Sequence, residues 1–246
     1  MPLKSVPSAA QPYSTIVLGS TGNVGRQIVN RLIATSSVRQ VVVVNRRQTD
    51  EFKEILKVRE VVVPDMDQLA EAVELATREA GATVGLCTIG IGKGSLKMPE
   101  TDVRKVEVQY PEAFAKGCKA GGVLSFGLMT AAGADSKSLF TNVRIMGEKE
   151  KAVSGVGIAA LGIYRPSVIL GNSNTPSYLN YVFPALQWML PSRFHAIHKS
   201  DLARAMVEGT QRALAELQVG ANLEPDNRFY EYREMKLFFD RDEPKD

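Results

Sequence analysis

Cysteine, histidine and tryptophan are scarce in this chain: its 246 residues hold two, two and one of them respectively. Cys87 lies in an apolar run and Cys118 in a helix-like stretch, so neither a disulfide framework nor a set of spaced zinc ligands is present. No metal site is expected. The 30 basic residues barely outnumber the 27 acidic ones and form no block that would follow a nucleic-acid backbone, so nucleic acid is not an expected partner. No stretch reaches the roughly eighteen uncharged apolar residues of a spanning helix, which argues against an integral membrane segment. Residues Met1 to Ser14 are rich in Pro, Ser and Ala and lack the apolar centre of a signal peptide, so they read as a loose tail and the protein as cytoplasmic.

What is present is an ordinary globular composition, 44% hydrophobic and 23% charged. Short β-branched runs recur at Thr15 to Gly19, Gln40 to Asn45, Glu60 to Val63, Thr83 to Thr88, Gly122 to Phe126 and Ala160 to Arg165. Helical stretches alternate with them at Gly22 to Ala34, Met66 to Ala80, Val103 to Lys119, Phe140 to Val153 and Ser200 to Leu214, the last opened by a Ser200 cap. Runs such as Val41-Val42-Val43-Val44 do not alternate apolar with polar, so both faces of the sheet should be covered. The expected fold class is α/β, a doubly wound parallel Rossmann sheet of six to seven strands with a small C-terminal substrate-side region. The chain divides into a tail over 1–14, one domain over 15–238 and a charged tail over 239–246. Within the domain, the proline- and aromatic-rich stretch over about 172–199 reads as a lid.

The first strand runs into Gly19-Ser20-Thr21-Gly22-Asn23-Val24-Gly25 and then an apolar helix. Strand, glycine turn and helix in this order form a pyrophosphate site. Gly19 allows the tight turn, Gly22 lets backbone approach the phosphates, and Gly25 lets helix and strand pack closely. The helix N-terminus then offers free N–H groups and the positive end of its dipole. At the end of the second strand, where an acidic residue would bind the ribose hydroxyls of NAD, the chain has Asn45-Arg46-Arg47. Two guanidiniums suit the extra 2′-phosphate of NADP, so NADP (NADPH) is the expected cofactor. In the turn Pro64-Asp65-Met66-Asp67, either Asp65 accepts the adenine amino group or Asp67 caps the helix. The fourth strand ends in Cys87-Thr88-Ile89-Gly90 and continues to Lys93, a second glycine-rich loop that should line the cofactor crevice, with Cys87 itself a core residue and Lys93 and Lys97 within reach of phosphate or substrate.

Together with Ala120-Gly121-Gly122, Ala132-Gly133-Ala134-Asp135, Gly147-Glu148 and Tyr164-Arg165-Pro166-Ser167-Val168-Ile169-Leu170-Gly171, these motifs make residues 15–215 resemble the atypical branch of the short-chain dehydrogenase/reductase superfamily, in its Tat-interacting-oxidoreductase-like group. The resemblance implies that Pro166, Ser167 and Val168 pass near the nicotinamide. It also implies a Ser or Thr after the fifth strand, here Thr130, and a Tyr-x-x-x-Lys pair on the next helix that shuttles a proton to a carbonyl. Those two positions fall on Asn142 and Met146, which cannot do that work. The Tyr-x-x-x-Lys that the chain does contain, Tyr232 to Lys236, lies beyond the expected helix and reads as coincidence. Tyr178, Tyr181, His195 and His198 are substitute proton carriers to be weighed against packing and capping roles.

Two readings follow. One is an NADPH-dependent reductase of a small carbonyl or quinone-like substrate with a non-standard site that includes Thr130. The other is a catalytically inactive NADPH-sensing or scaffold protein with a protein partner.

Overall fold

The computed structural model describes residues 11–92, 98–171, 189–220 and 224–240. Its strands in chain order are β1 (Tyr13–Leu18), β2 (Val38–Asn45), β3 (Val58–Val62), β4 (Ala82–Cys87), β5 (Ser125–Met129), β6 (Ala160–Tyr164), β7 (Ile169–Leu170), β8 (Ile197–His198) and β9 (Asp226–Tyr230). Seven of them form one sheet in the order β3-β2-β1-β4-β5-β6-β9, and β7 pairs with β8. Every neighbouring pair of the large sheet is parallel. The doubly wound Rossmann sheet expected from the sequence is therefore what forms.

The helices are α1 (Asn23–Ala34), α2 (Leu69–Ala80), α3 (Glu100–Arg104), α4 (Tyr110–Gly121), α5 (Thr141–Val156), α6 (Lys199–Gln218) and α7 (Tyr232–Lys236). A single π turn over Lys105–Gln109 joins α3 to α4. Parallel strands need crossovers, and these helices supply them on both faces. On one face Ile28 and Leu32 of α1 pack with Leu202 and Met206 of α6 over Val41 and Val43. On the other, Val73 of α2, Phe114 of α4 and Val153 of α5 pack over Val42 and Val44. The unbroken valine run of β2 thus divides residue by residue between two cores, which is why it shows no polar alternation. Burying each valine fully is worth roughly 1.5–3 kcal/mol.

The structure moves several boundaries. β1 begins at Tyr13, inside the expected tail, because Tyr13 and Ser14 pair with β2 and are buried. The fifth strand starts at Ser125 rather than Gly122, since the preceding helix runs on to Gly121 and Gly122 takes the left-handed capping conformation at φ 107°. The last long helix is capped by His198, whose side chain accepts from the Ser200 N–H, and not by Ser200. β9, not singled out in the sequence, completes the sheet; its partly exposed residues carry no buried-strand pattern. Phe239, assigned to the charged tail, packs against the core. The tail over 1–10, Lys93, Lys97, Tyr178, Tyr181, most of the lid stretch and residues 241–246 lie outside the described residues.

Where α2 crosses α4, Gly117 has no room for a side chain: a Cβ there would overlap the Ala70 carbonyl oxygen and stand 2.8 Å from Val73 Cβ. Overpacking of this kind costs about 1–3 kcal/mol. Gly117→Ala should lower the melting temperature by roughly 2–4 °C per kcal/mol lost, read by calorimetry; an unchanged melting temperature would contradict this close packing.

Candidate functional site

The carboxyl edge of the sheet is organised around the turn between β1 and α1. Gly19 sits at φ 93°, a conformation that only glycine adopts without strain, and the Gly22 N–H donates to its carbonyl at 3.1 Å. A Cβ on Gly25 would overlap the Gly19 carbonyl, so the first turn of α1 rests directly on the strand end. Gly22 is the N-cap and supplies no side-chain cap, and the first turn of α1 carries no acidic residue. A helix start without a side-chain cap is the arrangement in which backbone amides and the helix dipole can receive an anion. Val24 is buried beneath, Thr21 is exposed on the turn, and Asn23 is half-buried. Ser20 is fully buried and its hydroxyl donates to Asn45 Oδ1 at 2.8 Å, tying the phosphate turn to the end of β2.

At that end, Asn45 Nδ2 donates to Glu60 Oε1 at 2.7 Å, and Glu60 also accepts from the Thr49 N–H at 3.0 Å. Sequence reading found no carboxylate here. β3 brings one from fifteen residues further along the chain, but it is spent on shaping the 45–49 loop. Arg46 and Arg47 are exposed, and among the described residues neither has an ion-pair partner. Asp65 is the cap of the turn after β3, its carboxylate accepting from the Asp67 N–H at 3.0 Å, while Asp67 pairs with Lys105. Of the two sequence alternatives, capping thus describes Asp65, not Asp67.

Beyond β4, Thr88 is buried and its hydroxyl donates to the Gly19 carbonyl at 3.3 Å, so it braces the phosphate turn. Cys87 is wholly buried in the core, and burial pushes its thiol up to about 11. Its side chain belongs to the core that also holds Phe114 and Phe126. Gly90 packs over Glu107, with Cβ room limited to 3.2 Å from Oε1.

At the end of β5, Thr130 is buried, and its hydroxyl donates to Glu150 Oε1 at 2.8 Å. Glu150 in turn is held by both arms of Arg165, at 2.8 and 2.5 Å. Arg165 stays charged more firmly than usual because of that carboxylate. The Ala132 N–H donates to the Pro166 carbonyl at 2.9 Å and the Ile197 N–H to the Val168 carbonyl at 2.9 Å. The Ala132 bond brings Pro166 close to the end of β5, while Val168 is tied to Ile197, and the Thr130 hydroxyl is engaged in a buried network with Glu150. Sequence reasoning missed Glu150, whose signal was its place on the inner face of α5.

Asn142 and Met146 do fall on α5, the helix that follows β5. Asn142 is exposed and lines an open pocket of about 320 Å³ with Met98, Val103, Phe140 and Ile145. His198 caps α6, and His195 lies 3.0 Å from the Leu190 carbonyl and against the Tyr232 ring. Tyr232 to Lys236 is α7, a separate helix after β9, with Lys236 paired to Asp240. His195, His198 and Lys236 are thus engaged in packing, capping and ion pairing.

Sheet order, glycine turn and crevice define a protein of the NAD(P)-binding Rossmann class. No protein-family profile matches the chain. It is 29% identical to rat HTATIP2 over 161 residues, 65% of this chain and 64% of that protein, so the match spans just under two thirds of the rat protein. It is 25% identical to the mitochondrial protein FMP52-1 of Scheffersomyces stipitis over 228 residues, 90% of this chain and 96% of that one. Among solved structures, Bordetella bronchiseptica WbmG in complex with NAD superposes with a TM-score of 0.64 at 12% identity, covering 98% of this chain and 92% of that one. A Burkholderia thailandensis short-chain dehydrogenase/reductase gives 0.63 at 14% identity, covering 89% and 91%. In sequence the chain is similar to these relatives and in fold to short-chain dehydrogenase/reductase structures, the resemblance that the motifs implied. The cytoplasmic reading is overturned: the FMP52 relatives are mitochondrial proteins by name. Among the described residues no helix is long and apolar enough to cross a membrane.

With its thiol pushed up to about 11, Cys87 should be inert in the folded protein, since only roughly a thousandth of it is thiolate at pH 8. Iodoacetamide at pH 8 should label neither Cys87 nor the equally buried Cys118 until denaturant is added, as read by intact mass. Rapid labelling of Cys87 in the native protein would contradict this placement.

Proposed function

We propose that this protein binds NADP(H) along the carboxyl edge of its sheet and that tyrosine-driven carbonyl reduction is not part of its function. The observation that carries the cofactor is the pairing of two exposed arginines that have no ion-pair partner among the described residues, Arg46 and Arg47, with an α1 N-terminus that has no side-chain cap. The α1 amides and the Gly19 to Gly25 turn would hold the pyrophosphate, and the two guanidiniums the 2′-phosphate. Asn45, fixed between Ser20 and Glu60, sets the path of the chain into Arg46. Bound NADPH would supply a hydride; the chain's own residues decide whether a proton accompanies it. Asn142 carries no titratable proton, and Thr130 gives its proton to Glu150. This favours an NADPH-occupied sensor or scaffold with a protein partner. The FMP52 relatives support a mitochondrial site of action.

A second reading, an NADPH-dependent reductase of a small carbonyl or quinone-like substrate, is favoured by the open pocket at Asn142, which mixes apolar residues with Glu100 and Thr141 and is of a size for a small ligand.

Fluorescence titration should show NADPH binding more tightly than NADH. Arg46→Ala with Arg47→Ala should weaken NADPH by about 10–100-fold and leave NADH unchanged, the loss of one or two charge-assisted hydrogen bonds. Equal affinity for the two cofactors would contradict the NADP assignment. In the same preparation, no NADPH oxidation is expected with aldehydes, ketones and quinones until Asn142→Tyr and Met146→Lys are introduced together. Steady turnover by the unmodified protein would establish the second reading instead.

A further inference from the structure

Two charged side chains are buried where the fold has no need of charge. Glu107, in the π turn, is 6% exposed and Lys149, on α5, is 1% exposed. Each interrupts an apolar stripe at helical spacing, Val103-Glu107-Pro111 and Ile145-Lys149-Val153, whose other members are buried. Lys149 Nζ lies 3.4 Å from Glu107 Oε2. A buried ion pair is commonly no more stabilising than two well-packed apolar residues of the same volume, so stability alone does not explain its presence.

Among the described residues, the hydrogen bonds that the pair makes outside itself go to one loop. Lys149 Nζ donates to the Ile89 carbonyl at 2.9 Å, and the Ile91 N–H donates to Glu107 Oε1 at 2.8 Å. Gly90, between them, lies over the same carboxylate. The loop is pressed in turn against the phosphate turn: a Cβ on Gly19 would stand 2.8 Å from the Ile89 nitrogen. The π turn that carries Glu107 is a local widening of the helix, a feature frequent at functional sites. Sheet order then fixes what the loop serves. Arg46 and Arg47 lie at the end of β2 and the phosphate turn at the end of β1, so a dinucleotide laid across both continues over the next strand in the sheet, β4, where this loop begins.

We propose that Glu107 and Lys149 are positioning residues for the nicotinamide half of the cofactor site, holding Ile89 to Ile91 against the phosphate turn in the form that receives it. The proposal rests on the NADP(H)-binding reading. Lys149 stands three residues after Met146, so α5 still delivers an ammonium to this edge of the sheet, though to backbone instead of to a tyrosine.

The test compares NADPH with 2′,5′-ADP, which lacks nicotinamide and its ribose. Glu107→Leu with Lys149→Met keeps the volume and removes both charges. This variant should bind NADPH at least about tenfold more weakly, bind 2′,5′-ADP within about twofold of the unmodified protein, and lose amide-exchange protection at Ile91. If the double variant does not fold, Glu107→Gln, which replaces one oxygen by an amide, should show the same split at smaller amplitude. Unchanged NADPH affinity, or equal weakening for both ligands, would overturn the positioning role while leaving NADP(H) binding intact. Failure of the unmodified protein to bind either ligand would instead remove the cofactor reading and this inference with it.

Discussion

The rest of the structure depends on the contact between the Gly25 backbone and the Gly19 carbonyl, where the first turn of α1 rests on the end of β1 with no side chain between them. That contact aims α1 along the sheet and puts its N-terminal amides at the carboxyl edge. It also sets the height at which Thr88 can reach the Gly19 carbonyl, and hence where the loop after β4 starts. From there the edge is assembled outwards, towards β2 through Ser20 and Asn45, and towards β5 and β6 through the Thr88 to Ile91 loop.

Outward from the glycine turn, polar side chains are buried in closed groups and not spread along the crevice. Ser20, Asn45 and Glu60 form one group on the adenine side; Glu107 with Lys149, and Thr130 with Glu150 and Arg165, form two more beyond β4. The last two balance each carboxylate with a cation, which a buried charge requires if it is not to cost several kcal/mol, while Glu60 is satisfied by Asn45 and the Thr49 N–H. A site of this kind is rigid and well shaped for a ligand. Among the described residues these groups already share their protons with one another, and on the proposed function that is what separates holding a nicotinamide cofactor from using it.

Much of this was legible in the sequence because it rests on local rules. Strand, glycine turn and helix follow from Gly19, Gly22 and Gly25, and the absence of alternation in Val41 to Val44 gives the two-sided sheet. The boundary of β5 was misplaced because the Gly121-Gly122 pair reads equally as a strand start and as a helix end, and only the positive φ of Gly122 decides. The carboxylate of Glu60 was invisible for a different reason: its partner lies fifteen residues away, joined by the register of β2 and β3. Thr130 was recognised by position, but its neighbours Glu150 and Arg165 come from other elements, so the fate of its proton was not. Lys149 and Glu107 did leave a trace, charged residues on otherwise apolar stripes, whose meaning needs the packed helices. Cys87 was read as a core residue and is one, while the bracing of the phosphate turn by Thr88 shows only in its hydrogen bond to the Gly19 carbonyl.

The central claim is that α1 lacks a side-chain cap because its N-terminus is kept for a pyrophosphate. Gly22 has φ −72° and ψ 166°, a conformation open to any residue, and a Cβ there would stand 3.3 Å from the Gly19 carbonyl. Gly22→Asp would therefore install a good N-cap and at the same time place a carboxylate where the phosphates sit. Calorimetry and NADPH titration on this one variant should give a melting temperature unchanged or raised together with loss of NADPH binding. NADPH bound by the variant as tightly as by the unmodified protein would contradict the claim.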